Sequence, residues 1–175
     1  MKKLHAFLTV LLLFIVLGAC SDSRPDDLPV SRSASASKSF RLLATAGSTI
    51  KPDAVSFRIS DFTAISDYAK WIKTAEVQAT SFIEITGIDE EVDVELREVT
   101  LTSGRDARTR LSLGVISENN KIVASNVTRL TFLQKIMDEI IRHGSTTVEL
   151  TCTTTHDITS PITITVNLNT NFAFN

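Results

Sequence analysis

Few residues in this 175-residue chain have the type and spacing that chemistry needs. Its two cysteines are Cys20 and Cys152. Cys152 falls on the apolar parity of Val148-Glu149-Leu150-Thr151-Cys152, the place of a small core residue, whereas a reactive thiol needs a cation beside it and exposure. His143 closes an amphipathic segment, where a cation interacts favourably with the helix macrodipole. His156 precedes Asp157 in a turn, and such a pair is read as local hydrogen bonding. No serine sits in a G-x-S-x-G elbow, and neither a P-loop nor a His- or Cys-rich spacing occurs. The chain is therefore read as a non-enzyme without cofactor or metal. A hydrolase is the less favoured reading and requires His156, Asp157 and a serine or acid to meet in one pocket.

Charged and aromatic groups offer binding rather than catalysis. Asp89, Glu90, Glu91, Asp93 and Glu95 supply the hard oxygens that calcium wants. Alternate residues on one strand stand about 7 Å apart, however, so the run is read as a solvated face that guards a strand against edge pairing. Arg105, Arg108 and Arg110 follow Gly104 in a loop, where they can pair with those acids or hold an anionic sugar or lipid headgroup. Tyr68 and the single tryptophan, Trp71, could supply a stacking platform for a sugar. Thr147, Thr151, Thr153, Thr163, Thr165, Asn167 and Asn169 make a polar sheet face that could hydrogen-bond carbohydrate or protein.

The most specific signal lies at the amino end. Lys2 and Lys3 precede an apolar run from Ala6 to Leu17, too short to span a bilayer as a stable helix, and then Leu17-Gly18-Ala19-Cys20. This arrangement resembles the signal and lipobox of bacterial lipoproteins. The resemblance implies cleavage before Cys20, acylation of its thiol and of the new amino terminus, and firm membrane anchoring without a spanning helix. With Cys20 lipidated, no disulfide can form within the mature chain. Ser21 at the following position is similar to lipoproteins released to the outer membrane, and Asp22, Asp26 and Asp27 look like a surface-export signal of the Bacteroidota. The expected location is the cell envelope, at the outer membrane, on its periplasmic face or at the cell surface. Formal net charge is −2, and loss of Lys2 and Lys3 makes it more negative, which argues against nucleic acid as a partner.

The elements that must position these groups are mostly strands. Residues 1–19 are read as the signal, the Ser/Ala-rich 20–38 as a flexible tether, and 39–175 as a single domain. Period-two alternation marks Val55 to Ile59, Ala75 to Ile85, Val92 to Leu96, Leu111 to Val115 and, most clearly, Ile162 to Phe174. Apolar parity flips from Leu96 to Val99 across Arg97-Glu98, which predicts a bulge or bend. Glu118-Asn119-Asn120-Lys121 reads as a hairpin turn, and Ser160-Pro161 as a further turn. Phe132, Leu133, Ile136, Met137, Ile140 and Ile141 form one helical stripe, with Thr131 and Gln134 as capping box and Gly144 as terminator. Ser66 to Lys73 is read as a shorter helix.

The predicted fold is mainly β: an antiparallel sandwich of immunoglobulin-like type, with about seven or eight strands. Its one amphipathic helix, near residues 131–143, is placed between the last two strands. This combination looks like small lipoproteins of the Bacteroidota. The functional expectation is a non-catalytic binding or adhesion module for protein or glycan, held on the membrane by acyl chains. The alternative is a structural or assembly subunit whose terminal strand or 132–141 stripe docks on a partner.

Overall fold

The computed structural model describes residues 25–89, 91–104 and 108–175. The expected signal segment, Cys20, Glu90 and Arg105 lie outside the described residues. In chain order the strands are β1 (Ser31–Ala44), β2 (Thr49–Ile50), β3 (Val55–Arg58), β4 (Ile72–Val77), β5 (Phe82–Thr86), β6 (Leu96–Ser103), β7 (Thr109–Ile116), β8 (Asn120–Val123), β9 (Ser145–Thr154) and β10 (Ile158–Phe174). One α-helix, α1 (Val127–His143), follows β8. Short 3-10 turns at Ile59–Asp61 and Thr63–Trp71 join β3 to β4, so the segment around Tyr68 and Trp71 is tighter than an α-helix.

Two antiparallel sheets face each other. The first runs β1-β10-β5-β8, with β4 also paired to β10, and the second runs β2-β9-β6-β7, with β3 also paired to β9. The architecture is the antiparallel β-sandwich that the alternation implies. β10 is its spine: β1 pairs along one side from Ser31↔Ala173 to Ala44↔Ile158, while β5 and β4 lie end to end along the other. The buried parity of β10 (Ile162, Ile164, Val166, Leu168, Phe172) meets Phe57, Leu96, Leu101, Val148 and Leu150 of the second sheet in one core. Each fully buried side chain of this size contributes about 1.5–3 kcal/mol.

The expected tether is shorter than its composition suggests, because residues 31–38 belong to β1. Ala34, Ala36, Phe40 and Leu42 turn inward. The serines between them hydrogen-bond to β10: Ser39 to Thr165 at 2.8 Å, and Ser37 accepting from Asn167 at 2.8 Å. A strand alternation runs through this segment, carried by alanines so small that the surrounding serines give it the look of a linker. Lys38 lies on the inward parity yet reaches Asp61 at 2.8 Å. An inward-directed charge of this kind discourages further strand pairing at an exposed edge. With the two-residue β2, this strand raises the count to ten.

Three further expectations change. α1 enters between β8 and β9, ahead of both final strands, and it begins at Val127 rather than Thr131. Its cap is Asn126, whose Oδ1 accepts from the Arg129 amide at 2.8 Å. Gln134 caps nothing. Its side chain accepts from the Val77 amide at 2.8 Å and donates to the Ala75 carbonyl at 2.9 Å, stitching the helix to β4. Gly144 terminates the helix as expected, at φ 78°. The stripe Phe132, Leu133, Ile136, Met137 and Ile140 is buried, and α1 packs on β4 of one sheet and on β7 and β9 of the other.

β7 and β8 belong to different sheets, so residues 117–119 form a crossing and no hairpin. Asn119 fastens it by accepting from the Ile88 amide at 2.9 Å and donating to the Ile88 carbonyl at 3.1 Å. Pro161 lies inside β10 at a register shift opposite Leu42 and Ala44, so the turn between the last strands falls at residues 155–157. A bulge is where a strand tolerates a residue without an amide donor.

Candidate functional site

The outer face of the second sheet gathers charged and hydroxyl groups around one depression. Its floor is built from aligned strands: Thr102 of β6 pairs with Arg110 of β7 on one side and Glu149 of β9 on the other, and Thr100 pairs with Thr151. Side chains directly across from one another in such ladders stand about 4.5–5.5 Å apart. Arg110, Thr102 and Glu149 therefore form one row, and Thr100 and Thr151 the next. Lys51, Pro52 and Ala54, from the link between β2 and β3, supply a wall. Together with Glu98 and Arg108 these residues line an open groove of about 620 Å³.

Glu98 reaches the groove because β6 bulges. From the pair Arg97↔Thr153 to Thr100↔Thr151, β6 spends one residue more than β9. The parity flip of the sequence is this bulge: Leu96 and Val99 both point into the core, while Arg97 and Glu98 are both exposed. Glu98 adopts φ 55°, a left-handed conformation that costs a non-glycine residue about 1–2 kcal/mol. Opposite Val99, β7 makes the matching adjustment with Gly114 at φ 76°.

The electrostatics of the groove are asymmetric. Arg108 approaches Glu149 at 3.4 Å, an exposed pair of little energetic weight. Among the described residues Lys51 and Arg110 make no ion pair. Two cations without an ion partner among the described residues, beside threonine hydroxyls that both donate and accept, suit an anionic group carried on a hydroxyl-rich body. Arg110 of β7 and Arg108, just ahead of that strand, thus line the same groove. Lys51, Glu98, Thr100, Thr102 and Glu149 come from distant stretches, and only the outward parity of Thr100 and Thr102 hints at them in the sequence.

The aromatic candidates lie elsewhere. Tyr68 packs edge-on against Phe174 with ring centroids 5.8 Å apart, and its hydroxyl donates to Asp27 at 3.3 Å. The neighbouring Asp27 carboxylate raises the phenol above its ordinary value. The Trp71 ring carries the Lys70 ammonium 4.4 Å from its centroid. Both aromatics belong to the end of the first sheet, so they form no platform for the arginine groove.

The remaining sequence candidates have local roles. Asp157 accepts from the Ala46 amide at 2.7 Å, and His156 Nδ1 lies 3.1 Å from the Thr155 hydroxyl, so the two side chains are engaged apart. His143 Nε2 stands 3.6 Å from the buried Glu139 Oε2 one helical turn back. The acidic run is a turn, with residues 91–93 turning and Asp93 at φ 50°, instead of one face of a strand. Glu95 there pairs with Arg97 at 2.7 Å, and no cluster of His, Cys, Asp or Glu among the described residues could hold a metal ion. Cys152 is buried, and burial pushes its thiol up to about 11. Asn167 and Asn169 of the polar face are occupied within the fold, Asn169 donating to the Thr80 carbonyl at 2.9 Å.

No known family model matches the chain. No curated protein matches it either. Among solved structures, a chain from Desmodium yellow mottle tymovirus is similar over 89% of this chain and 91% of its own, at 12% identity and a TM-score of 0.32.

Proposed function

We propose that this protein is a cell-envelope lipoprotein, anchored through acylated Cys20, whose domain binds an acidic carbohydrate in the groove on its second sheet without transforming it. One observation carries the binding reading: Lys51 and Arg110, without ion partners among the described residues, flank a hydroxyl-lined groove. Arginine and lysine hold carboxylate or sulfate substituents, and Thr100, Thr102 and Thr151 complement sugar hydroxyls. Burial of the 132–141 stripe, apart from the half-exposed Ile141, and the central place of β10 favour a binding module over an assembly subunit, since both surfaces are consumed by the fold's own core.

Two measurements test the reading separately. Calorimetric titration with uronic-acid or sulfated oligosaccharides should give binding that Arg110→Ala and Lys51→Ala each weaken, with neutral oligosaccharides inert. Equal binding of neutral and acidic sugars, or none at all, overturns it. Membrane fractionation of the native host should find the protein in the membrane and Cys20→Ala released. A Cys20→Ala chain that stays with the membrane overturns the anchor.

A further inference from the structure

The place where the chain joins the domain gathers several amphipathic groups onto one end of the first sheet. The Phe174 amide donates to the Val30 carbonyl at 3.1 Å, and the Asn175 amide to the Trp71 carbonyl at 3.0 Å. Tyr68 reaches Asp27, and the Leu28 amide closes a turn onto the Pro25 carbonyl at 3.1 Å. Residues 25–30, the Thr63–Trp71 turn, the start of β4 and the tip of β10 are therefore one pole of the sandwich. Its surface displays Val30, 82% exposed, with half-buried Tyr68 and Trp71 and exposed Lys70 and Lys73.

Because the ordered domain reaches back to Pro25, only five peptide steps separate it from Cys20. Fully extended, five residues span at most about 18 Å. A tether lasting through residue 38 would have let the domain roam, whereas five residues keep this pole within about 18 Å of Cys20. We propose that this pole, Val30, Tyr68, Lys70 and Trp71, seats on the headgroup layer of the anchoring bilayer and holds the sandwich in one orientation. The inference rests on the anchoring of Cys20 proposed above.

The chemistry suits that layer. Trp and Tyr rings prefer the boundary between acyl chains and water, where one end of the ring is apolar and the other wet. The Lys70 ammonium stands 4.4 Å from the Trp71 ring centroid, so a cation rides on the indole at the level where a boundary layer carries its charged headgroups. Arg32, Lys70 and Lys73 are offset by Asp26, Asp27 and Asp67, so the pole fits a zwitterionic surface without needing an anionic one.

Trp71 is the only tryptophan, so its fluorescence reports on this pole alone. The test uses the acylated full-chain product extracted from its host and mixed with vesicles of phosphatidylcholine and phosphatidylethanolamine, with and without brominated acyl chains. Seating is established if the protein floats with the vesicles, Trp71 emission shifts to the blue and bromine quenches it. Protein that floats with Trp71 emission unshifted and unquenched overturns the seating while leaving the anchor standing. Protein that fails to float overturns the anchor. Seating is then decided on chain whose Cys20 has been coupled to a maleimide lipid, Cys152 being shielded by its burial. The same blue shift and quenching support it there, and their absence refutes it.

Discussion

Gly87 sits where the chain leaves β5 close against the backbone of β10, and it makes the sharpest single test of this architecture. Its φ is +88°, and a Cβ added there would meet the Pro161 carbonyl oxygen at 2.6 Å and the Ile162 Cα at 3.4 Å. Gly87→Ala therefore carries two costs. The left-handed backbone costs about 1–2 kcal/mol for any side chain. The obstacle is backbone of the central strand, which cannot swing aside as a flexible side chain would, and such overpacking adds about 1–3 kcal/mol. The sum, about 2–5 kcal/mol, lowers the melting temperature by about 4 to 20 °C at the roughly 2–4 °C per kcal/mol typical of a domain this size. Gly47→Ala is the matched control, since Gly47 has φ +72° with nothing within 4 Å of an added Cβ, and it should lose the backbone share alone. Urea and thermal unfolding of the two variants against wild type measure the difference. Equal losses for Gly87→Ala and Gly47→Ala would refute the close approach, and with it the β5–β10 register from Thr86↔Thr163 to Phe82↔Asn167.

Hydrogen exchange should find the backbone amides of the Ser31–Ala44 strand that bond to β10 protected to nearly the global stability; rapid exchange would return residues 31–38 to the role of a tether. Arg110→Ala should leave the stability within about 0.5 kcal/mol of wild type while abolishing most acidic-oligosaccharide binding, so a variant that unfolds more easily would contradict its place on an exposed face. Burial raises the Cys152 thiol from 9.0 to about 11, so the folded state keeps a proton that the unfolded chain has already released. Its contribution is intact below pH 9.0 and is lost as the pH climbs toward about 11. Denaturant midpoints of wild type should fall relative to Cys152→Ala across that interval, and parallel curves would count against the burial.

Legibility in the sequence follows the reach of each signal along the chain. Alternation from Ile162 to Phe174, and the flip between Leu96 and Val99, are local facts, and both translate directly into β10 and the β6 bulge. The Ser31–Ser39 segment misleads because its composition is that of a linker while its parity is that of a strand, Ala34 and Ala36 sitting in step with Phe40 and Leu42. The turn-like Glu118–Lys121 is local too, but whether two strands joined by a turn share a sheet depends on partners distant in sequence, here β5 and β6. The same limit governs the groove. Arg108 and Arg110 stand out as a cluster, whereas Lys51, Glu98 and Glu149 gain meaning only when the second sheet sets their strands side by side.

β10 lies C-terminal to β1, β4 and β5, and among the described residues it is the one strand partner of β1 and of β4. Neither β1 nor β4 can therefore pair within the first sheet before β10 is present. β1 must wait through more than a hundred residues for its mate, a delay that slows folding but also keeps the nascent polypeptide pliable. The sandwich therefore closes last along β10, the strand on which β1 and β4 both depend.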